Sequence, residues 1–354
     1  RVPKNGRNFE YLSGEDPHLG YILVQPVIDA IQGQQIVANA KHYVNNNQET
    51  NRHFVSENVD ERTRFEMYYP PFKGAIEAGV GSMMCSYNKI NHVWSCENNS
   101  TLLTDLKIRM GFNGYVMSDW GATHSLSIEQ GLDQEMPLNK SFNQISLKTV
   151  PEHIIDDSVV RILTPFFSVG TFDNPNSNQI SNNVTSLEHV EIARKLSENS
   201  TILLKNEEQV LPLLKHNLQL AVVGTQAWNP VVHGGGSGEV VPAWVKPPLW
   251  SLCDMLDVER VNGTTSGSHN CNTGNNNCVT YYDSTTGPPP NTLKYDVIIM
   301  FVETTSSEGR DRTNLTFSPE QEEMLSKWSG LTGKNLKKVL VMSTPGAVLT
   351  PWSD

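Results

Sequence analysis

Several common sequence patterns are absent from this chain of 354 residues. No run of 18 apolar residues occurs, so the sequence predicts no membrane-spanning helix and no membrane partner. Long blocks of basic residues are also missing, and 27 Lys and Arg against 38 Asp and Glu give a net charge of −11. Because phosphate binding needs a basic surface, this charge argues against nucleic acid as a partner.

Motifs of metal and nucleotide sites are missing as well. The five cysteines form no Cys-x-x-Cys pair, which argues against a zinc ribbon. The glycine-rich stretch 234–238 lacks the Gly-Lys-Ser/Thr ending of a phosphate loop, which argues against a nucleotide site. It is either a plain surface loop or a flexible loop that faces a substrate. We expect neither a metal nor a cofactor.

The residues that are present are typical of a soluble globular protein. Hydrophobic residues make up 38% of the chain and charged residues 18%, which excludes general disorder. The length allows two domains of ordinary size or one large one.

The cysteines and the asparagines carry information about the cellular compartment. Cys85 and Cys96 flank a short turn, and Cys271 and Cys278 flank an Asn-rich loop, so both spacings suit local disulfides. Cys253 is then left free or paired with something outside the chain. Seven Asn-x-Ser/Thr sequons begin at Asn98, Asn99, Asn139, Asn183, Asn199, Asn262 and Asn314. Together these features favour an oxidising, secretory compartment and a secreted or extracellular protein.

Residues 1–168 repeat one pattern, in which a short apolar strand ends in polar residues and an amphipathic helix follows. The predicted strands are 36–40, 80–85 and 115–117, and the predicted helices are 61–69, 72–78, 102–110 and 154–167. Alternating strands and helices predict a parallel sheet, in either a β/α barrel or a doubly wound fold. In a barrel, the polar residues at the strand ends would share the face that carries the active site.

A second α/β pattern follows a stretch rich in Asn and Pro. Residues 169–187 have the composition of an interdomain linker. The predicted strands beyond it are 201–204, 218–223, 295–302 and 338–342, and the predicted helices are 188–198 and 319–328. The stretch 261–290 is too long for a simple connection.

The end of strand 115–117 carries the most informative residues. Ser118, Asp119 and Trp120 follow it directly. A strand end holds a carboxylate rigidly, and the neighbouring indole offers a platform for a sugar ring. The alternative is that Asp119 caps a helix that begins at Gly121.

Other strand ends carry groups that could bind hydroxyls. Lys41 and His42 follow strand 36–40 as hydrogen-bond donors, unless they are a surface lysine and a histidine at the edge of the core. Tyr87 follows strand 80–85, where its phenol holds a neighbouring carboxylate or lies in water. Glu308 is either a mobile general acid or part of a solvated charge cluster. Because glycosidases need two carboxylates, Asp119 and Glu308 fit that chemistry if the second domain folds over the strand ends.

These residues together resemble glycoside hydrolase family 3, of the β-glucosidase type. The resemblance runs nearly end to end and is carried by short motifs in a fixed order. They are Gly6-Arg7-Asn8-Phe9-Glu10, Lys41-His42-Tyr43, Asn47-Gln48-Glu49, Val59-Asp60-Glu61-Arg62-Thr63, Met84-Cys85-Ser86-Tyr87-Asn88, Val116-Met117-Ser118-Asp119-Trp120, Leu203-Leu204-Lys205-Asn206, Leu211-Pro212-Leu213, Gly235-Gly236-Ser237-Gly238, Ser307-Glu308-Gly309 and Thr344-Pro345-Gly346-Ala347-Val348.

The resemblance implies a fold and a set of roles. The fold is α/β, with a partial (β/α)8 TIM-type barrel in 1–168, a linker in 169–187 and a truncated α/β sandwich in 188–354. Asp119 matches the nucleophile and Glu308 the acid/base of a mechanism that retains configuration through a covalent glycosyl-enzyme. The matched sugar-binding positions are Arg7, Lys41, His42, Tyr87, Trp120 and Ser237. The early barrel strands of the family would precede residue 1, so we expect a chain that is incomplete at both ends.

The implied function is that of an exo-acting β-glucosidase, which removes terminal non-reducing β-D-glucosyl residues from oligosaccharides or glucosides. One alternative is a β-xylosidase of the same family. A second alternative is a catalytically silent carbohydrate-binding relative, against which the presence of both Asp119 and Glu308 argues. The sequence predicts no oligomeric state.

Overall fold

The computed structural model divides into two compact units. It describes residues 2–138, 140–174, 181–213, 216–272, 274–289, 295–333 and 335–353. The first unit comprises Arg1–Ser177 and Ser306–Asn314, and the second comprises Asn178–Thr305 and Leu315–Asp354. The sequon at Asn139 and residues 175–180 of the expected linker lie outside the described residues.

The first unit is built on a parallel sheet. Its strands are β1 (Asn39–Tyr43), β2 (Ser56–Glu57), β3 (Ser82–Cys85), β4 (Lys89–Ile90), β5 (Val93–Trp94) and β6 (Tyr115–Met117). The parallel sheet has the order β1-β3-β6, and β2, β4 and β5 form a separate small sheet. Within the described residues the three-stranded sheet does not close on itself.

Helices cover this sheet. They are α1 (Pro17–Gln32), α2 (Glu61–Thr63), α3 (Pro70–Glu77), α4 (Gln144–Leu147) and α5 (Glu152–Ser168), with π-helical segments at Arg64–Tyr68 and Ser100–Arg109. The sequence analysis did not predict α1, although its start signal is present. The Asp16 carboxylate accepts hydrogen bonds from the backbone N–H groups of His18 and Leu19, and Pro17 occupies the first turn.

The core of the first unit fixes the strands that lead to the site. Tyr43 of β1, Met83 of β3 and Val116 of β6 are fully buried, and they pack in one cluster with Leu102 and Leu106 of the π-helical segment. Because the three strands are parallel, their carboxyl ends lie at one edge of the sheet. The polar loops that follow them therefore start from a common, well-packed base.

The second unit is a five-stranded sheet with helices. Its strands are β7 (Gln219–Val223), β8 (His269–Cys271), β9 (Cys278–Tyr282), β10 (Val297–Glu303) and β11 (Lys337–Ser343), and its helices are α6 (Leu187–Ser200), α7 (Pro248–Leu256) and α8 (Pro319–Ser329). The order is β11-β10-β7-β9-β8, and only the edge strand β8 is antiparallel to its neighbour among these described strands. Leu220 and Val222 enter one core cluster and Ala221 and Val223 another, so β7 is buried on both faces.

The α/β character of the fold and both disulfides are confirmed. Cys85 pairs with Cys96 and Cys271 with Cys278, while Cys253 is a free, buried thiol in α7. The strand predicted at 36–40 is shifted, because β1 spans Asn39–Tyr43 and thus contains Lys41 and His42. The strand predicted at 201–204 is wrong: these residues are exposed and find no strand to pair with among the described residues.

Candidate active site

Asp119 lies in the loop that follows β6, and its two oxygens have different surroundings. The residue is 8% exposed. Its Oδ1 accepts a hydrogen bond of 2.7 Å from the backbone N–H of Trp120. Its Oδ2 is buried and accepts no hydrogen bond from the described residues. The helix-cap alternative is wrong, because the next helical turn of the described chain is Ile128–Gln130.

His42 connects Asp119 to a tyrosine that the sequence analysis did not select. His42 Nε2 lies 3.4 Å from Asp119 Oδ2, and the Tyr11 hydroxyl lies 2.8 Å from His42 Nδ1. The contact with the Tyr11 hydroxyl fixes one ring nitrogen and directs the other, Nε2, toward the carboxylate. Tyr11 therefore holds the orientation of a ring that is 2% exposed.

Tyr87 packs beside Asp119 on the loop after β3. Its hydroxyl donates a hydrogen bond of 3.0 Å to the Trp120 carbonyl, and the Arg52 guanidinium lies 4.6 Å from its ring centre. Burial, followed by the negative charge of Asp119, raises the pKa of the Tyr87 phenol well above its usual range, so the phenol stays protonated. Trp120 is 66% exposed.

Arg7 and Lys41 converge on one carboxylate, that of Glu10. The Nε and Nη2 atoms of the buried Arg7 donate to the two Glu10 oxygens at 2.8 and 2.9 Å, and Lys41 Nζ lies 3.5 Å from Glu10. Burial alone would lower the pKa of Arg7, but the Glu10 carboxylate outweighs it and raises this pKa. This bidentate pair with Glu10 fixes the position of the Arg7 guanidinium.

Glu308 is held by two arginines. Its Oε1 lies 2.8 Å from Arg52 Nη1 and 3.4 Å from Arg7 Nη1. Arg52 Nη1 also donates to Glu49 Oε2 at 2.8 Å. The segment Ser306–Asn314 that carries Glu308 belongs to the first unit, although the chain before and after it belongs to the second.

The structure thus collects seven of the eight residues singled out from the sequence in the first unit: Arg7, Lys41, His42, Tyr87, Asp119, Trp120 and Glu308. The eighth, Ser237, lies on an exposed turn of the second unit, and its role stays a prediction. Sequence reasoning did not select Glu10, Tyr11, Glu49 and Arg52. The opposite charges of Glu49 and Arg52, three residues apart in a polar loop, are a local signal that could have revealed two of them.

Two classes of feature are absent from the described residues. No group of three or more His, Cys, Asp or Glu side chains is arranged there to hold a metal ion. Within the same residues, every helix is too short or too polar to cross a membrane.

Comparison with known proteins identifies the family. The Glycosyl hydrolase family 3 N terminal domain matches residues 1–164, and the Glycosyl hydrolase family 3 C-terminal domain matches residues 201–354. The chain belongs to glycosyl hydrolase family 3. The family resemblance seen in the sequence is therefore confirmed, and the two matched domains occupy the two halves of the chain.

Relatives within glycosyl hydrolase family 3 are longer than this chain. Probable beta-glucosidase L of Aspergillus terreus is 33% identical over 99% of this chain and 51% of its own length. Beta-glucosidase 1 of Aspergillus aculeatus is 36% identical over 69% of this chain and 35% of its own length. The chain thus spans about half the length, or less, of these curated relatives.

Solved structures of family members are similar over nearly the whole chain. Beta-D-glucoside glucohydrolase from Trichoderma reesei has a TM-score of 0.80 and 30% identity, over 98% of this chain and 52% of that one. DesR, a beta-glucosidase from Streptomyces venezuelae in complex with D-glucose, has a TM-score of 0.83 and 25% identity, over 99% of this chain and 60% of that one.

Proposed function

We propose that this chain carries the active site of a retaining exo-β-glucosidase. Its substrates would be oligosaccharides or glucosides with a terminal, non-reducing β-D-glucosyl residue. Membership of glycosyl hydrolase family 3 and the similarity to proteins named beta-glucosidase support this proposal. The D-glucose bound to DesR supports glucose as the sugar.

The observation that carries the proposal is the unequal treatment of the two Asp119 oxygens. Oδ1 is held by the Trp120 N–H, which fixes the orientation of the carboxylate. Oδ2 accepts no hydrogen bond from the described residues, although His42 Nε2 lies 3.4 Å away, and it is shielded from solvent. A nucleophile needs one unblocked oxygen held in a fixed direction, and desolvation keeps that oxygen reactive.

In the first step, Asp119 Oδ2 attacks the anomeric carbon while the bond from that carbon to the aglycone oxygen breaks. Glu308, protonated at this stage, gives its proton to the departing oxygen. The products are a glycosyl ester on Asp119, the free aglycone alcohol and a Glu308 carboxylate. Arg7 and Arg52, which contact Glu308, supply positive charge beside that carboxylate.

In the second step, water attacks the anomeric carbon of the ester. Glu308 now acts as the base and takes the proton from this water, while the bond between Asp119 and the sugar breaks. Two inversions at the same carbon give glucose with its original β configuration. The carboxylate of Asp119 and the proton on Glu308 are both restored.

The remaining residues are proposed to bind the glucosyl ring. Arg7, Lys41 and His42 are donors for its hydroxyls, Tyr87 offers its hydroxyl oxygen as an acceptor near Asp119, and the exposed Trp120 offers an apolar surface. Ser237 is included on the family match alone. No cofactor enters this mechanism.

The finer fold and location are proposed together with the activity. We infer that the first unit is part of a TIM-type barrel, because large apolar side chains on its helices are exposed as if further barrel elements covered them. Examples are Ile22 and Val27 of α1, 48% and 42% exposed, and Val160 and Phe167 of α5, 61% and 64% exposed. The two disulfides and the sequons support a secreted protein.

Covalent labelling tests the proposal directly. Incubation with an activated 2-deoxy-2-fluoro-β-glucoside should trap a glycosyl ester, because the fluorine slows both steps while the good leaving group keeps formation of the ester faster than its hydrolysis. We expect mass spectrometry to find the label on the peptide that contains Asp119, and no label in the Asp119→Asn variant. Folded protein that carries no label on Asp119 would falsify the retaining mechanism.

The same reagents separate the alternatives. A matched 2-deoxy-2-fluoro-xyloside that labels Asp119 much faster than the glucoside would favour a β-xylosidase. A folded chain that binds glucose without labelling or turnover would favour a catalytically silent relative.

A further inference from the structure

The segment Ser306–Asn314, called here the acid loop, is fastened to the first unit by the Asp311 carboxylate. Asp311 Oδ1 accepts hydrogen bonds from the backbone N–H groups of Gly6 and Glu49, at 3.2 and 2.9 Å. Asp311 Oδ2 accepts from the Thr50 N–H and hydroxyl, at 2.8 and 2.6 Å. One carboxylate therefore joins three segments that are far apart in the sequence.

The two segments that Asp311 binds are those that bring cations to Glu308. Gly6 is adjacent to Arg7, whose Nη1 lies 3.4 Å from Glu308 Oε1. Thr50 is two residues before Arg52, whose Nη1 lies 2.8 Å from the same oxygen. Asp311 is itself only three residues after Glu308. Its hydrogen bonds therefore fasten the acid loop to both of the segments that carry these guanidinium groups.

Close backbone contacts limit how far the acid loop can move. A Cβ on Gly6 would lie 2.0 Å from the Arg310 carbonyl oxygen and 2.2 Å from that of Ser307, so only glycine permits this approach. On the far side of Asp311, the Arg312 N–H donates to the Lys4 carbonyl at 2.8 Å. The loop is thus held both before and after Asp311.

We propose that Asp311 is a positioning residue for the acid/base, which holds the acid loop so that Glu308 reaches the glycosidic oxygen. The inference rests on the proposed function, because it takes Glu308 as the acid. Burial opposes the charge of Asp311, but the Thr50 hydroxyl and the backbone donors outweigh it and lower its pKa. Asp311 therefore stays a carboxylate at neutral pH and keeps all its acceptor capacity.

The dependence of rate on the leaving group distinguishes positioning from general stabilisation. A poor leaving group, such as an alkyl alcohol, needs proton transfer from Glu308, whereas 2,4-dinitrophenolate leaves without it. A displaced acid therefore slows alkyl glucosides selectively. A loop that only stabilises the fold would change both substrates equally or change neither.

The experiment compares kcat/KM for methyl and 2,4-dinitrophenyl β-glucoside in the full chain. Glu308→Ala is the reference for complete loss of the acid. For Asp311→Ala we expect a loss of about 100-fold on the methyl glucoside, as for a reacting group misplaced by about 1 Å, and less than about threefold on the activated substrate. Thr50→Val removes only the hydroxyl donor and should give about a fivefold loss with the same selectivity.

The control is Asp283, a carboxylate in another part of the chain that accepts the same number of hydrogen bonds as Asp311. Asp283 of the second unit accepts four from Thr285 and Thr286, at 2.8 to 3.0 Å. Asp283→Ala should show no leaving-group selectivity. Equal losses on both substrates for Asp311→Ala and Thr50→Val, while Glu308→Ala remains selective, would overturn the inference alone. Equal losses for Glu308→Ala would remove the acid role of Glu308 and the inference with it.

Discussion

At the scale of single residues, the site depends on which atoms of each polar side chain have a hydrogen-bond partner. Asp119 Oδ1 accepts a hydrogen bond from the Trp120 N–H, and Asp119 Oδ2 lies 3.4 Å from His42 Nε2. That ring is in turn fixed by the Tyr11 hydroxyl at 2.8 Å from Nδ1. The orientation of the ring that faces the proposed nucleophile thus depends on Tyr11, which binds the opposite side of that ring.

Loss of the Tyr11 hydroxyl should therefore reduce catalysis. In Tyr11→Phe, the His42 ring loses the partner that holds its Nδ1 and fixes its orientation, and one hydrogen bond of about 1 to 2 kcal/mol is removed. We expect kcat/KM for an aryl β-glucoside to fall about 5- to 30-fold, with thermal stability nearly unchanged. Tyr21→Phe, which removes a hydroxyl bonded to the exposed Glu77 on helices α1 and α3, is the matched control. Equal effects of the two variants would argue against the role of Tyr11.

The residues that the sequence revealed differ physically from those it did not. Asp119 and Trp120 stand together after an apolar strand, so their relation is visible locally. Arg52 and Glu308 are 256 positions apart, and no spacing rule relates them. Contacts of this kind arise only when the acid loop packs against residues 1–177 of the same unit. No periodicity in the sequence encodes that packing.

At the scale of elements, a buried ion pair ties β6 to the helices around it. Lys107 Nζ lies 2.8 Å from Asp133 Oδ1, and Ser158 of α5 donates to the same oxygen at 3.0 Å. Asp133 Oδ2 accepts from the Val116 N–H of β6 at 2.8 Å. Burial lowers the pKa of Lys107 and raises that of Asp133, so each charge depends on the other.

Removal of one partner should destabilise the first unit strongly. Lys107→Met keeps the length of the side chain but leaves the Asp133 charge unpaired, at a cost of about 3 to 5 kcal/mol. We expect this loss in the free energy of unfolding from urea titration. Lys148→Met, at an exposed lysine of the same unit, should change it by less than about 0.5 kcal/mol. A loss below about 1 kcal/mol for Lys107→Met would mean that the pair does not hold β6.

Strands were predicted correctly from the sequence where the hydrophobic pattern coincides with the residues that are buried in the structure. β6 was predicted with its observed bounds, because Tyr115–Met117 is an apolar run that ends at polar residues. β1 was placed three residues too early, since its observed span contains the polar Asn39, Lys41 and His42. The segment 201–204 has the apolar pattern of a strand, but a strand also needs a partner, and periodicity carries no information about partners.

At the scale of the whole molecule, the proposed active site depends on both units through the course of the chain. Asp119 and the contacts of Glu308 lie in the first unit, but the acid loop continues from the chain that follows β10 and leads into α8, both of the second unit. The chain on either side of the acid loop is therefore released when the second unit unfolds, which leaves only the contacts of the loop with the first unit. Activity should accordingly be lost when either unit unfolds.

The disulfide between Cys271 and Cys278 offers a way to test this dependence, because it lies in the second unit and closes a loop seven residues long. Its replacement by two serines should cost roughly 2 to 3 kcal/mol through the loop entropy of the unfolded chain. For a unit of this size, that loss corresponds to a fall of about 5 to 10 °C in the unfolding temperature. We expect the temperature of half-inactivation to fall by the same amount, with unfolding followed by circular dichroism and residual activity measured on the same samples.

His269→Ser, an exposed change in the same hairpin, should leave both temperatures unchanged. If the double variant unfolds earlier but keeps the half-inactivation temperature of the wild type, then the hydrogen bonds of Asp311 suffice to hold the acid loop without the second unit.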